Sequence, residues 1–177
     1  MNKEQELIDR LIDLAFAEDI GDGDHTTLSC IPETAMGKSK LLIKEAGILA
    51  GIEVAKEVFR RFDPTMKVTV YINDGAEVKP GDVAMIVEGK VQSLLQTERL
   101  MLNIMQRMSG IATMTHKYQE RLKGTHTRVL DTRKTTPGMR ILEKMAVKIG
   151  GGVNHRIGLF DMILLKDNHV DCSLVFD

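Results

Sequence analysis

The stretch from Asp131 to His169 reads DTRKTTPGMRILEKMAVKIGGGVNHRIGLFDMILLKDNH. It runs from a strand end through a basic loop, an amphipathic helix and a glycine stop into a second apolar run. Thr127 to Asp131 is expected as a short strand. Met162 to Leu165 is expected as a continuous apolar strand of the parallel kind, covered on both faces. Thr136 is placed to cap the helix between them, with Pro137 at its first position, where a missing N–H costs nothing. Leu142, Met145, Ala146 and Ile149 form the helix's apolar stripe, and Gly150-Gly151-Gly152 stops it. This order belongs to an alternating strand–helix fold.

Three basic clusters sit in that stretch: Arg133-Lys134, His155-Arg156 and Lys166. In alternating architectures, functional groups collect on loops at the carboxyl ends of parallel strands. Arg133-Lys134 follows one expected strand and Lys166 the other. His155-Arg156 follows the helix and its glycine turn, and can fold over the same face. Arginine presents a planar fork to carboxylate or phosphate, and lysine a compact point charge. The helix N-terminus after Pro137 could add backbone N–H groups for a phosphate. Any one cluster alone reads as ordinary solvated surface. Three at comparable positions point to a polyanion site, without saying which polyanion or what reaction.

General basicity does not account for these cations. The chain is 28% charged with a formal net charge of −1, so neither nucleic acid nor an anionic membrane is expected as its partner. No apolar run approaches the roughly 20 residues of a spanning helix. The opening MNKEQELIDR lacks a secretory core, and a cytoplasmic location is expected. Cys30 and Cys172 lie far apart without a zinc spacing, and read as reduced structural thiols. No metal site is expected from them.

Upstream the pattern is helix and hairpin. Glu4 to Glu18 is expected as a helix with Leu7, Ile8, Leu11, Ile12, Leu14 and Ala15 on one side, and Asn2 with Gln5 resembles a capping box. Gly21-Asp22-Gly23-Asp24 breaks it. Asp19, Asp22, Asp24 and His25 read as a solvated turn rather than a calcium loop. Lys38 to Ile43 is an expected strand and Ile52 to Phe62 a helix. Met66, Val68, Val70 and Ile72 alternate with Lys67, Thr69 and Tyr71, the pattern of a half-buried antiparallel strand. The turns Asn73-Asp74-Gly75 and Lys79-Pro80-Gly81-Asp82 lead to another strand, Val83 to Val87.

Gln92 to Met108 is expected as a helix whose Gln92, Gln96, Arg99, Asn103 and Gln106 form one polar stripe. Periodicity favours a solvent-facing stripe; the sharper alternative aims Arg99 into a wet pocket, such as one of a partner subunit. Ser109 is expected to cap a second helix with Ile111, Met114, Tyr118 and Leu122 on its buried side.

The stretch Asp131–His169, together with QTERLMLNIMQRMSGIAT and EDIGDGDHTT, closely resembles quinolinate phosphoribosyltransferase. The resemblance covers nearly the whole chain. Related sequences described as molybdenum-transport-associated share the fold. The resemblance implies an α/β protein with an open-faced sandwich over residues 1–110, serving substrate binding and dimerisation. Residues 111–177 would begin an α/β barrel of phosphoribosyltransferase type. The implied reaction joins quinolinate to phosphoribosyl pyrophosphate with decarboxylation, giving nicotinate mononucleotide for NAD biosynthesis, with Mg2+ assisting the pyrophosphate.

Carried over by position, Arg133, His155, Arg156 and Lys166 would hold the quinolinate carboxylates and nearby phosphate oxygens. Thr132 and Lys134 would contact ligand from the same loop as Arg133, and Lys134 and Lys166 are the candidate catalytic residues. Arg99 would enter from the other subunit of a homodimer. A closed α/β barrel usually takes about 200 residues or more, so an incomplete barrel is expected here, with the family's acidic, magnesium-facing residues outside this sequence. The chain alone is then expected to be catalytically weak or inactive, and to expose Met162 to Leu165. Two rivals from other classes are a non-catalytic dimerisation or polyanion-binding module, and an aldolase-type barrel using Lys134 or Lys166 as a Schiff base.

Overall fold

A computed structural model describes residues 3–172. Helix α1 (Lys3–Asp19) is followed by the short α2 (His25–Cys30). Asp24 caps α2 by accepting from the Thr27 N–H at 3.0 Å, so the expected solvated turn includes a helix N-cap. Hydrogen bonding from the Thr27 side chain, and then from its N–H, holds the Asp24 carboxyl below its ordinary range. Asn2 lies outside the described residues; Gln5 donates to Asp9 at 2.8 Å.

The first half is an open-faced sandwich. Strands β1 (Met36–Leu42), β3 (Lys67–Val70) and β5 (Val83–Lys90) form an antiparallel sheet in the order β1-β5-β3. The register sets Leu41 and Val70 beside Met85, and Ser39 and Val68 beside Val87. A strand's period of two therefore gathers these residues on one face. Helix α3 (Ile52–Phe62) contributes Ala55, Val58 and Phe59 to the core shared by Leu41, Val68, Val70, Met85 and Val87. On the opposite, wet face Lys38 pairs with Glu88 at 3.0 Å. The strand alternation of Met66 to Ile72 and the bounds of α3 match the sequence pattern.

A second, two-stranded pairing joins β2 (Gly47–Ile48) to β4 (Glu77–Val78). Gly51 precedes α3 at φ 106°, a left-handed backbone that glycine tolerates. Asp74 accepts from the freed Ile52 N–H at 2.8 Å. Arg61 of α3 ties to Asp9 and Asp13 of α1.

Helix α4 (Val91–Arg121) runs unbroken for 31 residues, correcting the expected break at Ser109. The Ser109 hydroxyl is not a cap. It accepts from the Ala50 N–H at 3.0 Å and donates to the Ala50 carbonyl at 3.1 Å. Thr113 receives the Ile48 N–H at 2.8 Å. These hydroxyls satisfy backbone groups beside β2 that no strand pairs.

The expected apolar face of the second half of α4 is also corrected. Met114 and Tyr118 are exposed, whereas Ala112 and Thr115 are buried. Helix α5 (Arg140–Ile149) crosses here. A Cβ on Gly150 would strike the Ala112 carbonyl oxygen and lie 2.8 Å from Thr115 Cβ. Close approach therefore selects small residues over large apolar ones.

Beyond α4 the regular strands expected from the sequence are absent among the described residues. Thr127 to Asp131 contributes a single parallel bridge, Leu130 to Val153. Met162 to Leu165 has no regular secondary structure and no strand partner among the described residues, and Ile163 is 88% exposed. A parallel strand needs partners at its sides, and here the apolar run has none. Its exposure agrees with the open barrel expected from the sequence. The short α6 (Asp167–Asp171) follows.

Candidate functional site

Helix α5 organises the basic loops. Its Ile141, Leu142 and Ala146 are buried, as the periodicity requires. Its start is corrected: Thr136 does not cap it, and the chain turns through Pro137, Gly138 and Met139 before the helix begins at Arg140. Gly138 takes φ 79° in that turn, an angle costly for other residues.

Two buried charges share the helix with the apolar stripe. Glu143 accepts from Arg107 of α4 at 2.5 Å and from the Thr136 N–H at 3.3 Å. Burial pushes its carboxyl up, but the hydrogen bonds and the Arg107 charge prevail and hold it below the ordinary glutamate value. Lys144, 3% exposed, donates to Asp131 Oδ1 at 2.5 Å and to the His155 carbonyl at 3.1 Å. The same Asp131 oxygen accepts from the His155 N–H at 2.8 Å. The Asn154 amide nitrogen, in the orientation that satisfies its neighbours, reaches Asp131 Oδ2 at 3.0 Å.

Arg140, one turn before Lys144, makes a parallel set of bonds. It donates to Thr135 Oγ1 at 3.0 Å, to the Arg133 carbonyl at 3.5 Å and to the Ile157 carbonyl at 3.1 Å. The parallel bridge between Leu130 and Val153 fixes the roots of the same two loops. Thr132, Arg133 and Lys134 are thus brought beside His155 and Arg156.

Within this frame Arg133 is half-buried and its Nε atom has no hydrogen-bond partner. A buried guanidinium nitrogen left unpaired is unusual and has capacity for one more acceptor; Arg61 Nε on α3 shares the feature. Thr132 and Lys134 are exposed, and Thr132 Oγ1 accepts from the Lys134 N–H at 3.1 Å. His155 is half-buried. Arg156 is 7% exposed and donates to the Met162 carbonyl at 3.3 Å.

Lys166 is exposed at the start of α6, its N–H held by His169 Nδ1 at 3.1 Å; among the described residues the bond from Arg156 to the Met162 carbonyl links this segment to the cluster. Arg99 is exposed on α4, about two turns before Arg107, the α4 residue that reaches Thr136. Arg99, Asn103 and Gln106 face solvent, while Gln92 and Gln96 are half-buried.

Electrostatically the loops carry spare positive charge. The Asp131 carboxylate is taken up by Lys144 and the His155 N–H. The Asp161 carboxylate receives the N–H groups of Ile157 and Gly158, both at 2.8 Å, which hold it below the usual range. These carboxylates do not fit a resident magnesium ion, and the described residues contain no cluster of three or more His, Cys, Asp or Glu suited to a metal. Neither Lys134 nor Lys166 is desolvated, the usual device that activates a Schiff-base lysine. Both cysteines are free and exposed rather than buried. Among the described residues no helix is long and apolar enough to cross a membrane.

The residues missed by sequence reasoning are Asp131, Arg140, Glu143 and Lys144. No local signal marks the three on α5: by helical spacing Arg140 and Lys144 fall opposite the stripe of Leu142, Met145, Ala146 and Ile149, and Glu143 falls at its edge.

A cleft of about 720 Å3 lies between α1 and the loops, lined by Leu7, Leu11, Ile141, Ile157 and Phe160. Its walls are mainly apolar, with Lys3, Glu4, Arg10 and Arg140 also lining it.

Two consecutive family models match the chain: the quinolinate phosphoribosyl transferase N-terminal domain over residues 24–109, and its C-terminal domain over residues 111–174. A quinolinate phosphoribosyltransferase [decarboxylating] of Nicotiana tabacum is 47% identical over 165 residues, 92% of this chain and 46% of the relative. A probable nicotinate-nucleotide pyrophosphorylase [carboxylating] of Bacillus subtilis is 43% identical, over 91% of this chain and 55% of its own length. The crystal structure of NadC from Streptococcus pyogenes superposes with a TM-score of 0.89 at 43% identity, covering 93% of this chain and 58% of NadC. The chain spans about half the length of the curated relatives it matches.

Proposed function

The chain belongs to the quinolinate phosphoribosyl transferase family, and from that premise we propose that it acts in joining quinolinate to phosphoribosyl pyrophosphate, with loss of pyrophosphate and carbon dioxide. The product is nicotinate mononucleotide, in NAD biosynthesis. The observation that carries the reading is the pairing of two cationic loops across α5, with the Arg133 Nε buried and unpaired.

Both substrates are polyanions and repel one another. Arg133, His155 and Arg156 hold the two quinolinate carboxylates, with Thr132 contacting ligand in the same loop. Lys134 and Lys166 face the phosphate oxygens and stabilise charge as pyrophosphate leaves. The pyridine nitrogen attacks the ribose carbon directly, so no covalent enzyme nucleophile takes part. Loss of carbon dioxide then leaves the bonding pair on the ring carbon next to the cationic nitrogen, whose charge stabilises it until that carbon takes up a proton. Magnesium belongs to this reading only as a companion of the pyrophosphate, and no step rests on it because the nearby carboxylates are already engaged. A homodimer in which Arg99 crosses to the partner's loops is part of the same reading, supported by the exposure of Arg99. So is a cytoplasmic location, although the names of some plant relatives place those proteins in mitochondria or chloroplasts.

Calorimetric titration of the chain with quinolinate tests this. Saturable binding that weakens with added salt is expected. Nicotinate, lacking one carboxylate, should bind about ten-fold more weakly or worse, the equivalent of one charge-assisted hydrogen bond. Equal affinity for the two, or no saturable binding by folded protein, overturns the reading. Formation of nicotinate mononucleotide should be slow beside binding, since the Asp131 and Asp161 carboxylates beside the loops are already engaged by Lys144 and backbone N–H groups. Robust turnover would contradict that expectation.

A further inference from the structure

Lys144 and Arg140 differ from every other cation in this region, because each one bonds both basic loops at once. Lys144 spans from Asp131, at the root of the first loop, to the His155 carbonyl of the second. Arg140 spans from Thr135 and the Arg133 carbonyl to the Ile157 carbonyl. They lie four residues apart on α5, so their side chains stand one above the other on one face. Neither loop has regular secondary structure of its own, and only one parallel bridge ties their roots together.

We infer that Lys144 and Arg140 are positioning residues, two rungs that set the separation of the Thr132–Lys134 and His155–Arg156 loops before ligand arrives. Their charges are engaged within the protein. Lys144 is 3% exposed and faces Asp131 at 2.5 Å, so its ammonium is spent on the protein. The guanidinium of Arg140 is spread over carbonyl and hydroxyl acceptors of both loops. A ligand meeting loops already held apart at the right distance need not order them, and that ordering is a principal cost of binding. Glu143, between the two on α5, anchors the helix face from behind through Arg107 of α4. The frame thereby connects to the long helix and its core.

The ligand named here rests on the proposed function, so the test has two arms that fail separately. The first needs no ligand. Amide hydrogen exchange is measured on the full chain, comparing wild type with Lys144→Met, Arg140→Gln and Arg140→Lys. The His155 and Lys134 amides, bonded to Asp131 and Thr132, should lose at least ten-fold protection in Lys144→Met and Arg140→Gln. Amides of the β1-β5-β3 sheet should be unchanged, and Arg140→Lys should recover part of the loss. Arg140 is only half-buried, so its variants carry the test if Lys144→Met does not fold.

The second arm is quinolinate titration of the same proteins, expected to show at least ten-fold weaker binding in both disruptive variants, with partial rescue by Arg140→Lys. Unchanged loop protection in a folded variant overturns the positioning role, whatever the titration gives. Lost protection without any quinolinate binding by wild type upholds the positioning role and sinks the substrate assignment instead. Lost protection with unchanged quinolinate affinity overturns the claim that loop separation matters to the ligand.

Discussion

Residues 36–90 and residues 127–172 both contain apolar strand-like runs, yet only the first set closes into a sheet. The antiparallel strands β1, β3 and β5 find all their sheet partners within a span of 55 residues, β5 pairing with β3 and, across the intervening α3, with β1. Their inner face is covered by α3 and α4, and Met85 and Val87 are almost fully buried. The parallel run at Met162–Leu165 needs neighbours delivered by crossovers, and only the Leu130–Val153 bridge is formed nearby. What orders the second region is polar. The buried Asp131–Lys144 pair, Arg140 and the Arg107–Glu143 pair hold loops that no sheet holds. One half of the molecule is built by burial and the other by hydrogen-bonded charge, and the second is where the proposed ligand sits.

The contrast can be broken by substitution, starting with the largest expected effect. Phe59→Ala removes a side chain only 2% exposed from the shared core, and should destabilise by about 3–5 kcal/mol. Urea unfolding monitored by circular dichroism reads this directly; a loss under about 1 kcal/mol would show that the antiparallel half is not the stabilising core.

Gly150→Ala probes the joint between the halves. The new methyl meets the Ala112 carbonyl and Thr115, and backbone atoms cannot swing aside as a flexible side-chain tip can. A loss of about 1–3 kcal/mol is expected, with Gly110→Ala, which meets nothing within 4 Å, as the control in the same helix-rich region. Equal effects at the two glycines would remove the close α4–α5 contact from the account.

Glu143→Gln tests the polar framework through pH. The folded carboxyl lies below its ordinary value of 4.5, so its contribution to stability is complete above that value and fades as pH falls through the folded one. At neutral pH the substitution should cost about 1–2 kcal/mol, in the range of hydrogen bonds to a charged group. The gap between wild type and variant should close on acidification. A gap that widens as pH falls would reverse the sign and contradict the assignment.

The smallest effect is expected at Ile163, 88% exposed. Ile163→Ser should change stability by no more than about 0.5 kcal/mol, while improving solubility by interrupting an exposed apolar patch. A large destabilisation would mean that the run is covered in solution, and light scattering on both proteins would then show whether a second copy covers it.

How much of the fold is legible in the sequence depends on how far away each residue's partner lies. Helix α3 and strand β3 can be read from period alone, because Val54, Ala55, Val58 and Phe59, or Val68 and Val70, announce their buried faces locally. Ser109 cannot. Its partner is Ala50, 59 residues away, and a serine beside a glycine looks like a cap until that contact is known. Met114 and Tyr118 have the spacing of a core stripe, but the helix that crosses there admits only small side chains.

In the site, the loop cations Arg133, Lys134, His155 and Arg156 stand out as clusters. The residues that position them do not, since Arg140 and Lys144 resemble the solvated face of any surface helix. Lys144 is distinctive only with Asp131 and the His155 carbonyl on either side of it. Its partner Asp131 lies in a loop 13 residues earlier, which no helical period reveals.

The central claim is that ligand binds to the charge-built half and leaves the burial-built half alone. Hydrogen exchange of the full chain, measured with and without saturating quinolinate, tests it most directly. Added protection confined to residues 131–136 and 154–157 is the predicted result. Protection that appears instead on the β1-β5-β3 sheet or α3, or none at all under saturating ligand, would contradict it.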